Sequence, residues 1–441
     1  MAAGKKVRKN KMMNTETSIY DVIVVGAGLA GLTAAKALHE KDKNYLVLEA
    51  TERAGGKVRS KISEDSSRYF ELGAQFVNKD MTEIVKLIEE SGMTLEETHI
   101  PEDLVVISEK SREPILFDFK DIPEMLRDIT AADSDPQTLA SLLDKHVENN
   151  RKRQIIKSFV AAETTVNSDY INAEALGNLV SRITTTNNEL NYQASGPLSQ
   201  VIRYLETINE EAIRYHEPVV KVKETENGYI LKTKNNTKYH AKSIIFATPP
   251  TAAARIEFSS SLADHYDRYL KSYIDGAVIK MTFVYDNPFW REQAIKGKKK
   301  PVYGVIYAAN EGVNLIDSSI TGGENRLTLF IGGDKAKEFF NVPSGVKEFF
   351  AKERLIEVFG EEAEMYKDYE ISEWSGSRYC GGGYGAMVHY KGEPKANEYL
   401  KEPFNNVVFA STELGPQFPQ FMEGAIRSGQ YAAKRLVEEM Q

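Results

Sequence analysis

Cysteine is almost missing: Cys380 is the only one in 441 residues, so no internal disulfide can form. No CxxC pair or Cys/His cluster is there to hold a structural zinc, and no metal site is expected. One cysteine suits a reducing compartment, and the cytoplasm is the expected location. Long apolar runs are missing too. Nothing approaches the roughly 20 continuous apolar residues that span a bilayer, so no membrane association is expected. Excess positive charge is also lacking: 56 basic against 64 acidic residues leave a net charge of -8. No global positive field exists to attract nucleic acid, which is excluded as an expected partner. What the chain does have is 41% hydrophobic and 27% charged residues, enough for two or three domains with a large buried core.

The opening MAAGKKVRKNKMMNTETS is basic, but no apolar stretch or small-residue cleavage site follows it, so it is not a secretory signal. Residues 1–18 read as a disordered basic tail, with an expression remnant or a second start at Met12 or Met13 as further readings. Ordered structure is expected from Tyr20. DVIVVGAGLAGLTAAKALHEKDKNYLVLEA reads as a buried strand, a glycine turn, an amphipathic helix and a second buried strand. Short strands return in VVKVKETENGYILKTKNNTKYHAKSIIFA, separated by turns at Glu226–Gly228 and Asn235–Asn236, and again in NVVFA from Asn406 to Ala410.

Two insertions separate these blocks. Residues 79–196 are rich in helical periodicity, and 269–375 mix strands such as AVIKMTFVY with the helix VKEFFAKERLIEVFG. The expected organisation is one domain from 19–78, 197–268 and 376–441, interrupted twice by a second from 79–196 and 269–375. The lysine-rich run Lys296–Lys300 reads as a solvated hairpin, with a docking patch for an anionic surface as the alternative.

Gly26, Gly28 and Gly31 form GxGxxG between strand and helix, the context that gives this pattern meaning. Gly26 permits the tight turn, Gly28 lets the backbone approach a pyrophosphate, and Gly31 allows close packing of helix on strand. The helix start offers free N–H groups to phosphates. Glu49, closing the second strand, has the spacing of a carboxylate that accepts from ribose hydroxyls, and its charge argues against a 2′-phosphate. The pattern alone does not separate NAD from FAD.

Beyond Glu49 come Ala50, Arg53, the Gly55-Gly56 turn and Lys57, and then FELGAQFV at residues 70–77. Together with HEPVVKV, AVIKMTFVYDNPFW and FASTELGPQFPQFMEGAIRSGQYAAKRL, these stretches resemble the FAD-dependent amine oxidase family of monoamine, polyamine and L-amino acid oxidases. The resemblance covers nearly all of the chain after Tyr20. It implies an α/β fold: a Rossmann-like FAD-binding domain of the glutathione-reductase type with an inserted α+β substrate domain. It also implies FAD contacts at Gly26, Gly28, Ala30, Gly31, Glu49, Ala50, Arg53, Gly56 and Lys57. Further contacts implied are Gly73, Ala74, Gln75, Phe76, Val219, Trp374, Thr412, Glu413, Phe421 and Met422. Lys57 stands where the family usually has arginine, keeping the charge but losing a bidentate fork. Phe418 falls where an aromatic packs beside the flavin.

Lys280 lies inside an otherwise apolar strand. A buried lysine is costly without a partner and its pKa falls readily, which makes it a functional candidate; a head reaching the surface is the other reading. The resemblance implies a lysine that hydrogen-bonds through water to the flavin and assists reoxidation by oxygen. Next, EWSGSRYCGGGYGAM puts Gly383 where covalent monoamine oxidases carry a flavin-bearing cysteine, so noncovalent FAD is expected. Tyr384 and Phe421 match the two walls of the family's aromatic cage, Phe421 replacing a usual tyrosine. Lys280, Tyr384 and Phe421 are the implied catalytic residues.

The activity this implies is oxidation of a primary or secondary amine to an imine, then to aldehyde plus ammonia or amine, with oxygen reduced to hydrogen peroxide. Two alternatives stay open: an L-amino acid oxidase on the same scaffold, and a flavin-containing scaffold protein without amine turnover. An amino acid oxidase should clamp its substrate carboxylate with arginine. In AQFVNKDMTEI the cation is Lys79, which favours an amine. Expected partners are a small-molecule amine and oxygen, with a homodimer left open.

Overall fold

A computed structural model describes residues 19–64, 67–103, 105–109, 113–115, 121–131, 138–185, 187–188 and 190–439; the basic tail lies outside them. The first strand, Ile19–Val25, buries Val22, Ile23 and Val24 completely. A β-branched run apolar on both faces belongs in the middle of a parallel sheet. It pairs in parallel with Tyr45–Leu48 on one side and Lys238–Phe246 on the other. Tyr45–Leu48 in turn pairs with Ile213–Arg214. Lys238–Phe246 is shared along its length: its first half runs antiparallel to Gly228–Thr233, and its second half parallel to Val407–Phe409. With Val219–Thr225 at the far edge, this sheet has seven strands among the described residues.

The helix Leu29–His39 follows the first strand through the glycine turn. Gly26 has φ +104, and a Cβ there would lie 2.5 Å from the Ala247 carbonyl oxygen, so glycine is required. At Gly31 a Cβ would lie 1.9 Å from the Gly26 oxygen, which is the close helix-on-strand packing expected. The C-terminal helix Met422–Glu439 crosses Leu29–His39 so closely that Gly429 faces the Ala30 carbonyl.

A second, six-stranded sheet has the order Asp368–Glu373, Val278–Tyr285, Asn325–Gly332, Val313–Asp317, Val302–Ile306, Val105–Ser108. Its register aligns Lys280 with Phe330, Phe330 with Asn314, and Asn314 with Ile306, one row across four strands. The helices Asp121–Ala131, Leu139–His146, Asn150–Thr164 and Ala173–Ser181 bury a core of their own, including Leu139, Leu143, Ile156 and Leu176. The helical stretch from Leu139 divides at Val147 because Asn149 caps the following helix, its side chain accepting from Lys152 N at 3.0 Å. The lysine run forms the hairpin Gln293–Ile295 with Lys298–Lys300, turning on Lys296 and Gly297, both at positive φ. No helix among the described residues is long and apolar enough to cross a membrane.

Candidate active site

In open α/β sheets ligands bind outside the carboxyl ends of the parallel strands. Here Gly26, Glu49, Ala247 and Ser411 follow the ends of four such strands, and all four line one cavity of about 1680 Å³. That exceeds the ~300–1,000 Å³ of an ordinary small-molecule pocket, leaving room for a dinucleotide and a second guest. The cavity runs past Gly55–Arg59 and Leu72–Phe76 to Lys280, Tyr384 and Phe421, and ends against a helical wall that includes Phe159, Leu176 and Leu179.

At the nucleotide end, Gly28 is the N-terminal cap of Leu29–His39, with no side chain closing the helix end. A Cβ on Gly28 would meet nothing nearer than Gly56 Cα at 4.0 Å, so the space beside it belongs to the cavity. Glu49 Oε2 accepts from Ala27 N at 2.8 Å, and Oε1 from Thr51 N at 2.9 Å and Thr51 Oγ1 at 2.8 Å. These bonds fix the carboxylate while leaving acceptor capacity toward the cavity. Arg53 lines the cavity but directs its guanidinium onto the carbonyls of Ala54, Gly56 and Val58, holding the glycine turn. Ala30, Ala50, Val219, Ala74 and Phe76 also line the cavity. Among the buried lining oxygens without a hydrogen-bond partner are Thr248 Oγ1, Ser411 Oγ and Glu413 Oε2. Unpaired buried acceptors beside an open helix start fit a hydroxyl- and phosphate-bearing ligand.

At the other end, Lys280 is 5% exposed. Its Nζ donates to Glu71 O at 2.8 Å, to Gly73 O at 3.3 Å and to Gln75 Oε1. Burial lowers the Lys280 pKa below the usual lysine value, and burial raises that of neighbouring Glu71. All three donors of a charged Lys280 are used within the protein. The expected bond to water therefore needs the neutral amine, whose lone pair accepts. Gln75 is fixed in turn by donating Nε2 to Gln193 Oε1 at 2.7 Å, and Trp374 Nε1 donates to Leu72 O at 2.8 Å.

Tyr384 and Phe421 reach the cavity from segments 37 residues apart in the chain. Burial raises the Tyr384 pKa, with the negative charge of Glu163 adding to it, so the phenol stays neutral. Met422 opens the C-terminal helix at the cavity, and Thr412 Oγ1 donates to Phe421 O at 2.7 Å. Glu413 Oε1 accepts from Ala386 N at 2.7 Å. At Gly383 a Cβ would lie 1.9 Å from Thr165 Oγ1, so a cysteine side chain has no room there.

Phe418 is a correction. It is 2% exposed, belongs to the core between helix and sheet and does not line the cavity; its ring meets Phe421 edge-on at 6.4 Å. A left-handed backbone at φ +50 turns it away. Lys79 also lies off the cavity, with Nζ 4.8 Å from the Tyr192 ring centroid. Sequence reasoning did not find Gln420, Arg182 or the wall residues Glu102, Glu124, Arg127 and Glu163. Arg182 donates to the carbonyls of Glu413 and Gly415 and accepts from Phe418 N, clamping the loop before Phe421. No local pattern marks Arg182 or Gln420, because each acts on a chain segment distant in sequence.

The family model for flavin-containing amine oxidoreductase matches residues 29–437. The flavin-containing amine oxidase B of Sus scrofa is 26% identical over 96% of this chain and 87% of its own length. A flavin-containing amine oxidase of Oncorhynchus mykiss is 27% identical over 97% and 87%. Among solved structures, cyclohexylamine oxidase from Brevibacterium oxydans IH-35A superposes with a TM-score of 0.83 at 22% identity, covering 96% of this chain and 100% of its own. Putrescine oxidase bound to putrescine gives a TM-score of 0.81 at 22% identity, covering 96% and 99%.

Proposed function

The chain belongs to the flavin-containing amine oxidoreductases, and from that premise we propose that it is an oxidase of a primary or secondary amine carrying noncovalent FAD. For a primary amine the net reaction is amine plus oxygen plus water to aldehyde, ammonia and hydrogen peroxide. FAD, when bound, supplies the two-electron acceptor that takes hydride from the amine α-carbon and passes the electrons to oxygen.

The observation that carries this reading is the continuity of one cavity from Gly28 and Glu49 to Lys280, Tyr384 and Phe421. Gly28 and the start of Leu29–His39 would hold the diphosphate, Glu49 the ribose, and Val219 the adenine. Lys57, Gly73–Phe76, Trp374 and the Thr412–Met422 segment would hold the rest. The first turn of Met422–Glu439 precedes the bond from Ala425 N to Phe421 O, so its amides and positive end favour negative charge at that place. Tyr384 and Phe421 exclude water and orient a neutral amine between their rings. Lys280, whose charged form burial disfavours, would hold a water beside the flavin and assist its reoxidation by oxygen.

The charges around the far end of the cavity support an amine over an amino acid: among the described lining residues there, the loop residue Glu102 and the helical Glu124 and Glu163 stand against Arg127. This net negative end attracts an ammonium group and repels a carboxylate. The domain division set out from sequence is supported by the strand origins of the two sheets, and one cysteine supports a cytoplasmic location. The test is a peroxidase-coupled assay of the purified yellow protein with tyramine, putrescine, cyclohexylamine, tryptophan and phenylalanine in air. Peroxide from one or more amines is expected. Peroxide from the amino acids alone would move the reading to an L-amino acid oxidase, and none from any would leave a flavin-binding protein without amine turnover.

A further inference from the structure

Gln420 immediately precedes Phe421 and lines the same cavity. Its backbone has φ +76, a left-handed conformation that a long side chain rarely adopts and glycine adopts freely. Strain of this kind persists only where the surroundings enforce it, and it concentrates at functional sites. A second observation concerns what the side chain rests on. Gly385, the residue after Tyr384, is fully covered by the Gln420 amide: a Cβ on Gly385 would lie 2.2 Å from Oε1, 2.6 Å from Cδ and 2.7 Å from Nε2. No Gly385 φ lies in the left-handed region, so the backbone does not call for glycine there; the amide does. Third, the amide is not held by strong hydrogen bonds. Oε1 is buried without a partner, and Nε2 reaches only Ala386 O at 3.4 Å and Met387 Sδ at 3.5 Å.

Strain on one side, a glycine carved out on the other, and an acceptor left unpaired describe a side chain kept for where it stands rather than for the bonds it makes. Its own backbone leads into one aromatic wall and its amide lies on the residue following the other. We propose that Gln420 is the spacer that sets the gap between Tyr384 and Phe421, and so determines which amines fit between the rings. It is a specificity-determining, positioning residue. This inference rests on the amine oxidase reading of the site and adds to it a residue that selects by bulk.

The experiment compares cyclohexylamine with n-hexylamine, equal in carbon number and unequal in width, on the FAD-loaded enzyme. Gln420→Gly removes the spacer and relieves the strained backbone, so it is expected to fold with an unchanged flavin spectrum. Truncation opens the cavity beside the rings. The ratio of kcat/KM for cyclohexylamine over n-hexylamine is expected to rise at least about fivefold. A smaller change, or a shift toward the linear amine, overturns the proposal. Gly385→Ala places its methyl on the amide and is expected to shift the same ratio in the unmodified background but not beside Gln420→Gly, where the methyl has room. Equal effects in both backgrounds would also overturn it, because the two residues would then act independently. Failure of the amine oxidase reading is separable. In that case the unmodified holoenzyme oxidises neither amine, and both proposals fall before any variant is compared.

Discussion

The side-chain ammonium of Lys57 donates to the carbonyl oxygen of Tyr384 at 3.0 Å across 327 residues of sequence. The glycine turn that carries Lys57 lines the nucleotide end of the cavity, and Tyr384 lines the end where the amine is proposed to bind. One charged hydrogen bond therefore couples the cofactor cradle to an aromatic wall. An arginine at position 57 would present a fork; the lysine presents one point donor, and its direction is toward the Tyr384 backbone.

Removing that link is expected to weaken both ends. A hydrogen bond from a charged donor contributes about 1.5–3 kcal/mol, so Lys57→Met should raise the FAD dissociation constant roughly tenfold or more. Titration of the apoprotein with FAD, followed by flavin fluorescence, measures this. Unchanged affinity together with unchanged kcat/KM would show that the bond couples nothing.

Gly383 lies against Thr165, itself fully buried and at φ +60, a conformation strained for a β-branched residue. Acid precipitation of the unmodified protein is expected to leave the flavin in the supernatant. Gly383→Cys should not create a covalent flavin, and the overpacking should cost about 1–3 kcal/mol in a urea titration. Flavin that pellets with either protein contradicts the expectation.

Lys280 and Glu71 make stability depend on pH in opposite senses. Burial lowers the Lys280 pKa from 10.5. Between the lowered value and 10.5 the unfolded chain binds more protons than the folded one, and stability rises with pH. Burial raises the Glu71 pKa from 4.5, so between 4.5 and the raised value the folded chain binds more protons and stability falls as pH rises. On the alkaline side, Lys280→Met should lack an increment of at most about 1.4 kcal/mol per pH unit that the unmodified protein shows. Denaturation curves for the two proteins that stay parallel up to pH 10.5 would refute the assignment. The same variant should slow flavin reoxidation by oxygen in stopped-flow measurements.

Glu423 is fully buried and caps a helix that cannot cap itself. Met81, the capping residue of Thr82–Glu90, offers no side-chain acceptor, and Glu423 accepts instead from Glu83 N at 3.0 Å and Ile84 N at 2.9 Å, with Arg427 Nε at 2.7 Å. Glu423→Gln is expected to cost roughly 1–3 kcal/mol in urea denaturation. Because Glu423 adjoins Met422 at the cavity, the variant should also release FAD more readily. A stability loss below about 0.5 kcal/mol would mean that the cap is redundant.

The parallel strands around Gly26, the helix Leu29–His39 and the strand bearing Lys280 were legible because each is written in a short stretch. A β-branched run, a glycine pattern and an apolar segment broken by one lysine are local signals. Phe418 went wrong for a related reason: its position in the motif is local, but its direction depends on a left-handed turn held by Arg182, which the motif does not encode.

Sequence alone determined the class of fold, the place of the dinucleotide turn and Lys280 as a candidate, since period and glycine spacing constrain backbone geometry directly; Tyr384 was a candidate only through the resemblance to the amine oxidase family. Tertiary structure alone decided that Lys57 reaches Tyr384, that Thr165 closes position 383 and that the Gln420 amide rests on Gly385. These are contacts between segments hundreds or tens of residues apart. They exist only once both sheets have packed, because a side chain's partner is set by distance in space, on which its neighbours in the chain carry no information.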